Sequence, residues 1–524
     1  METSESGFSK IRSFFWPIHR HELVKFLPML LLFFLVSFNY HFLRITKDSL
    51  VLTSTDVGAE ILPFLKLWAM LPFSLIMIFL FTRVANKFNR ENIFYIMISV
   101  FLVFFLIFIL FLYPKREMLY CTSLSQTLHK FLPPGLNGFI AIIKYWMFSL
   151  YYVMAESWST IAVSILIWGF ANDVVNVKEA KRFYALFGIG INSAGILAGK
   201  CGSFLSTYIG NTKTNIHPIA TWLGAKSSWD QTLIIFVGTI LVNGIIIMGI
   251  YKWLHIYIFP KHRLQKNITT NKTKQSLRRN IKYVLKSKYL VYILTIVLSY
   301  NVVTNLTEVL WKSQIKAYFP HPGDLTNYLS KVTFSIGITA TIASYLVSGN
   351  IIRKLGWKVA AYITPIIIIF TGIGFFYFLF LKQYAPQANN SIMLLGMTPM
   401  ALAVFFGSLQ NCLSRTCKYT VFDDTKEMAF IPLCDESKIR GKSAIDGIGS
   451  RLGKAGSSLI MQILLIFCNV TSACAPFILG IIILIIPFWS LSIKLLGNQF
   501  EKISKDPDSS IQPDKLSPAK STSN

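Results

Sequence analysis

The stretch FLPMLLLFFLVSFNYHFLRITKDSLVLT, residues 26–53, decides how the rest of the chain is read. Its first half is apolar enough to begin a membrane helix, which needs about 20 such residues. Its second half carries Arg44, Lys47 and Asp48 on what should be the same helix or its exit. A full charge at the bilayer centre costs roughly 2.5–3.5 kcal/mol on insertion scales. Three charges at this depth need something that offsets the cost. A charged ligand held between helices is the candidate.

Composition supports the membrane reading. The chain has 524 residues, 53% hydrophobic and 15% aromatic, with only 14% charged, and a mean hydropathy of +0.53. Soluble proteins are about a quarter charged, so the chain is an all-α polytopic membrane protein. The formal net charge is +27. Enrichment of Lys and Arg in cytoplasmic loops explains most of that excess, and attraction of an anionic substrate is compatible with it. Nothing indicates a nucleic-acid partner. Cys121, Cys201, Cys412, Cys417, Cys434, Cys468 and Cys474 are scattered without a C-x-x-C pair, and the eight His are dispersed. No metal, cofactor or disulfide framework is expected. The opening METSESGFSKIRSFFWPIHRHELVK has no short apolar core followed by a small-residue cleavage site. The first hydrophobic segment is therefore expected to be retained, in a bacterial inner (cytoplasmic) membrane.

Apolar segments long enough to span number about twelve, centred near 35, 72, 102, 147, 195, 241, 297, 340, 368, 402, 460 and 483. The fourth reads as one long helix, 138–168, with a polar interruption at Glu156. Basic residues fall in alternate loops. Lys10, Arg12, Arg20 and Lys25 precede the first span, and Arg83, Lys87 and Arg90 follow the second. KHRLQKNITTNKTKQSLRRNIKYVLKSK, 261–288, follows the sixth, and Arg353, Lys354 and Lys358 follow the eighth. Those loops belong on one side, which makes both termini cytoplasmic. The expected organisation is a cytoplasmic segment 1–25, a six-helix half 26–256, a basic linker 257–288, a second six-helix half 289–497 and a disordered tail 498–524.

The halves repeat weakly. ALFGIGINSAGILAG, 185–199, matches AIDGIGSRLGKAG, 444–456, in A-x-x-G-I-G and in a G-x-x-x-G, Gly195/Gly199 and Gly449/Gly453. Small residues at that spacing let membrane helices approach closely. At nearly the same offset NYHFLRITKDSL faces YNVVTNLTEVLW, with Lys47 opposite Glu308 and Tyr40 opposite Asn301. Six helices plus six is the signature of a major-facilitator-like architecture, whose substrate site lies near the midplane between halves.

Four ionisable residues sit inside apolar segments away from the basic loops: Lys47, Glu156, Glu308 and Lys454. A bland account exists for each. Glu308 and Lys312 have the i,i+4 spacing of a local helix pair, the lysines are able to snorkel, and Glu156 is able to satisfy a neighbouring Lys. Four such charges from both halves favour a substrate site, since intramembrane charge is functional by default. Lysine suits phosphate. Arg44 and Arg451 each lie three residues before a Lys, on the same helical face. A polyphosphate would neutralise such a cluster. Tyr40, Tyr152 and Trp158 are candidate base-stacking partners, although most aromatics in membrane helices simply pack. GIGSRLGKAG is not a phosphate-binding loop of the G-x-x-x-x-G-K-[ST] kind: Ile448 takes the first Gly position, Ala455 replaces the hydroxyl, and the context is a membrane helix. No catalytic constellation argues for an enzyme.

At these residues the chain resembles the non-mitochondrial ATP/ADP translocases, nucleotide transporters of obligate intracellular bacteria and plastids. The resemblance runs over about residues 10–500 and shows in WPIHRHELVKFLPM, LRITKDSLVLT, ANDVVNVKEAKRFYALFGIG, NLTEVLWKSQIK, KYTVFDDTKEMAFIPL and RLGKAG. It implies twelve helices, a nucleotide substrate, essential charges at Lys47, Glu156, Glu308 and Lys454, and counter-exchange of ATP for ADP. Phosphate or protons are the implied co-substrates. Around the site this chain reads R-I-T-K-D (44–48), A-E-S-W-S (155–159) and G-K-A-G-S (453–457), where the exchangers usually have R-D-T-K-D, A-E-L-W-G and G-K-S-G-G. Proton-coupled import of nucleoside triphosphates, or exchange of another nucleotide or NAD, remains the alternative. Tyr40, Arg44, Tyr152, Asn301 and Arg451 are further candidates for substrate contact.

Overall fold

The computed structural model describes residue 16 and residues 18–209, 216–258, 277–346, 348–385, 396–433 and 435–505. Among them there is no strand; long helices carry the chain. Ten are long and apolar enough to cross a membrane by length and composition. Two more, Pro322–Leu346 and Pro399–Cys417, complete twelve and carry more polar residues.

In chain order the first half is α1 (Arg20–Ser54), α2 (Gly58–Lys87), α3 (Arg90–Leu112), α4 (Trp146–Val174), α5 (Val177–Tyr208) and α6 (Ser228–Ile258). The second is α7 (Lys288–Tyr318), α8 (Pro322–Leu346), α9 (Leu355–Tyr384), α10 (Pro399–Cys417), α11 (Ser450–Cys468) and α12 (Ala475–Lys505). The chain is a multi-pass membrane protein with both ends of the helix array on one side.

Two expected boundaries move. The fourth span is not one helix over 138–168. The backbone breaks at Tyr145 (φ −106°, ψ 42°), so Asn137–Lys144 is a separate helix and α4 starts at Trp146. Glu156 does not interrupt it. The last helix continues to Lys505, because its alternation of apolar and polar residues persists beyond 497; the remainder of the expected tail, 506–524, lies outside the described residues. Of the basic linker, Leu277–Lys286 is helical and 259–276 lies outside them, as do residues 1–15 of the N-terminal segment and Cys434.

Each half is tied by buried polar contacts, the kind that hold membrane helices where apolar burial against lipid yields little. In the first, the Asn243 amide donates to Asn39 Oδ1 at 2.7 Å and to the Leu35 carbonyl at 3.0 Å. Arg182 grips Glu22 through two bonds of 2.8 and 2.6 Å, which clamps the start of α1 to α5. In the second, the Trp311 indole donates to Ser408 at 2.9 Å, and Tyr328 shares that hydroxyl at 2.6 Å.

The halves meet along two seams. On α5 and α8 the backbones nearly touch: a Cβ on Gly199 would lie 2.4 Å from the Phe334 nitrogen, and one on Gly337 2.6 Å from the Ile196 nitrogen. The Gly195/Gly199 pair therefore serves close approach, as its spacing implies, but between halves rather than within one. On α2 and α11 the Trp68 indole donates to Gln462 at 3.1 Å, and Gln462 donates to the Pro63 carbonyl at 3.0 Å. Gly453 of the second pair packs under α7, where an added Cβ would meet that of Asn301 at 2.8 Å.

Candidate functional site

A cavity of about 970 Å³ lies between the halves, at the upper end of the range for small-molecule sites. Its walls are the second part of α2, the end of α4, the start of α5, the continuation of α10 and the first turns of α11. All of these point toward the end of the bundle that carries the chain termini, so the cavity opens there. Its floor is charged and lies where α1, α2 and α7 converge.

The floor is a network. Lys47 Nζ sits 3.1 Å from Glu156 and 3.2 Å from Asp48. Lys312 bridges Asp48 at 2.8 Å and Glu308 at 3.1 Å. Arg415 reaches Glu308 at 3.1 Å and Lys66 approaches it at 3.7 Å. Lys66 also donates to Asn305, whose own amide donates to Ser457 at 2.5 Å. Three of these links, Asp48–Lys312, Lys66–Glu308 and Lys66–Asn305, join opposite halves. Desolvation would make isolated charges here very costly, and only a mutually satisfied set is tolerable.

Above this floor four cations line the cavity with no ion-pair partner among the described residues: Arg44, Lys418, Arg451 and Lys454. Lys454 and Arg451 are exposed to the cavity, and Arg44 and Lys418 are half-buried. Among the described lining residues seven cations oppose five carboxylates, and the carboxylates are taken up by neighbours. The space is built to receive negative charge.

Nine of the residues singled out in the sequence line this one cavity, Lys47, Glu156, Glu308, Lys454, Tyr40, Arg44, Tyr152, Asn301 and Arg451, and Trp158 does not. Their situations differ. Tyr152 is 1% exposed and its ring lies 4.0 Å beneath the Lys47 ammonium, a cation–π contact that leaves no open face for a base. Trp158 is fully buried; it donates to the Val36 carbonyl at 3.0 Å and packs edge-on against Phe101, so it belongs to the core. Asn301 donates to the Val297 carbonyl of its own helix at 2.8 Å. Tyr40 keeps a ring on the cavity.

Six participants escaped sequence reading as site residues. Asp48 was visible as a charge but not as the carboxylate joining Lys47 to Lys312. Lys312 looked like half of a local helix pair with Glu308, which it is, yet its shorter bond crosses to Asp48. Lys66, isolated in ILPFLKLWAM, carried the same signal of membrane cost as Lys47. Arg415 and Lys418 sit in NCLSRTCKYT, where polar neighbours mask that cost. Tyr419, beside Lys418, presents a second aromatic ring to the cavity.

Several of these side chains are aimed by π-helical turns, wide turns that recur at functional sites. Such turns run Leu65–Ala69 around Lys66, Ser159–Ile167 just after Glu156, Lys418–Phe422 after Arg415, and Ile445–Gly449 before Arg451. The departure at Ile45 has a plain explanation: it faces away from the cavity into the core, 1% exposed. Ser157 does line the cavity, with its hydroxyl turned back to the Val153 carbonyl at 2.7 Å. No cluster of three or more His, Cys, Asp or Glu able to hold a metal occurs among the described residues.

Comparison with known proteins identifies the family. The family model described as TLC ATP/ADP transporter matches residues 1–500. ADP,ATP carrier protein 1 of Chlamydia trachomatis serovar D is 38% identical over 95% of this chain and 93% of its own length. ADP,ATP carrier protein 1 of Chlamydia pneumoniae is 36% identical, covering 99% of this chain and all of its own. The chloroplastic ADP,ATP carrier protein 1 of Arabidopsis thaliana is 36% identical over 92% of this chain and 75% of its own. A twelve-helix bundle with a cation-lined cavity between its halves, matched end to end by these carriers, belongs to the TLC ATP/ADP transporter family, a family of transporters and not of enzymes.

Proposed function

We propose that the chain exchanges ATP for ADP across a bacterial inner membrane by alternating access, one six-helix half rocking against the other. The observation that carries this is the set of four cations, Arg44, Lys418, Arg451 and Lys454, that face one cavity between the halves with no ion-pair partner among the described residues. Relatives bearing the name ADP,ATP carrier support the choice of nucleotide. The phosphate chain meets these cations, as point charges from Lys and planar forks from Arg. The open rings of Tyr40 and Tyr419 receive the base. With both termini cytoplasmic, the cavity of this structure faces the cytoplasm.

The floor supplies the exchange rule. Phosphate competes with Glu156 for Lys47, and the freed carboxylate then needs a new partner. In the empty carrier the Asp48–Lys312 and Lys66–Glu308 links hold the far end shut. Substrate charge weakens them, so reorientation without nucleotide is disfavoured. Phosphate leaves or enters with ADP in this scheme, and lipid surrounds the bundle.

Uptake of labelled nucleotide into liposomes, with and without internal nucleotide and with a protonophore, tests the reading. Exchange requires internal nucleotide and ignores the protonophore. Glu156→Gln and Glu308→Gln, which keep shape and remove charge, impair exchange itself. Uptake that needs no internal nucleotide and collapses with the protonophore, together with a Glu→Gln variant that still exchanges, would mean proton-coupled import instead.

A further inference from the structure

A second basic feature lies outside the cavity, on the lateral face of the α5–α8 seam. Here Gly199, Lys200, Ser203, Phe204 and Tyr208 of α5 face Lys331 and Phe334 of α8 across a groove of about 360 Å³. Lys200 comes from one half and Lys331 from the other. Both are exposed, and neither has an ion pair or a side-chain hydrogen bond among the described residues. Their surroundings are those of a lipid-facing wall: Phe204 is 57% exposed and Leu197 44%.

Depth matters. Lys200 lies eight residues before the end of α5, and Lys331 nine residues after the start of α8. At 1.5 Å per residue both sit about 12–14 Å in from the helix ends, on the side away from the termini. The 32 residues of α5 span about 48 Å, so each end projects by about 9 Å beyond a 30 Å hydrocarbon core. That places Lys200 at the boundary of the hydrocarbon, and the long stem of Lys331 reaches toward the same level. Two ammonium groups at this depth, on a wall of Phe and Leu, need a counter-charge that water alone supplies poorly.

We propose that this groove binds the headgroup of an anionic phospholipid, its phosphate between Lys200 and Lys331 and its acyl chains along Phe204 and Phe334. Two lysines facing one groove between helices hold an acidic headgroup through charge-assisted hydrogen bonds to its phosphate. Because one lysine belongs to each half, the lipid spans the seam at its tightest point. It thereby favours the arrangement in which α5 and α8 are in contact and the cavity is open toward the termini.

The test uses the full-length protein in detergent and phosphatidylglycerol as probe, with bound lipid counted by native mass spectrometry. Wild type retains phosphatidylglycerol in preference to phosphatidylcholine. The double variant Lys200→Gln/Lys331→Gln loses that preference, with affinity falling about thirty-fold for two interfacial lysines. The charge-preserving Lys200→Arg/Lys331→Arg pair keeps it. Inorganic phosphate does not displace the lipid, which separates a headgroup site from a free-anion site. Equal retention of the two lipids by wild type overturns the proposal without reference to any variant. Unchanged phosphatidylglycerol binding by a Gln pair that melts like wild type overturns it as well.

Discussion

Lys312→Gln tests whether the floor network is a seal between the halves. Lys312 is 2% exposed and holds Asp48 at 2.8 Å and Glu308 at 3.1 Å. Removing its charge does not leave those carboxylates wholly uncompensated. Asp48 keeps Lys47 at 3.2 Å, and Glu308 keeps Arg415 and Lys66. The loss therefore sits near the value for a charged hydrogen bond, about 2 kcal/mol, rather than that for an orphaned buried charge. It falls on the state in which α1 and α7 are joined. In the opposite state the halves part here and water solvates the same groups. The equilibrium should move about thirty-fold toward that opposite state. Spin labels at Met118 and Tyr384, which are 86% and 67% exposed on opposite halves at the sealed end, report the separation. In liposomes without nucleotide, the variant should gain a long-distance population that wild type lacks. An unchanged distance distribution in a folded variant would falsify the seal.

Lys47→Ala and Lys454→Ala should each abolish nucleotide uptake while leaving membrane insertion intact, with Lys→Arg restoring only part of it, because a planar guanidinium does not reproduce a compact ammonium; near-normal uptake by either alanine variant refutes the phosphate role. Gly199→Leu should weaken the α5–α8 seam more than Gly199→Ala, since the Cβ already meets the Phe334 backbone at 2.4 Å; thermal unfolding in detergent reads the order, and a Leu variant as stable as wild type contradicts it. A cysteine at Leu285, exposed before α7, should resist impermeant reagent applied to intact cells, and one at Tyr384 should react; the reverse pattern inverts the orientation.

The charge pattern of the chain was enough to fix several things without coordinates. Twelve apolar segments, alternate basic loops and an offset repeat specified a two-half membrane bundle, because lipid permits few ways to bury a backbone. Membrane cost singled out Lys47, Glu156, Glu308 and Lys454, and all four line one cavity. Cost is a property of single residues, however, and partnership is a property of pairs. Nothing in the sequence says that Lys312 crosses to Asp48 more closely than it bonds Glu308, or that Lys66 meets Asn305 and Glu308. Periodicity at 3.6 residues also gives no warning of the π turns beside Glu156, Arg415 and Arg451, which rotate every later side chain on the helix. The same limit separates aromatic from aromatic: Tyr40, Tyr152 and Trp158 look alike along the chain. Tertiary packing alone puts Trp158 in the core, Tyr152 beneath Lys47 and Tyr40 on the cavity, because which face of a helix meets water is decided by the helices packed around it.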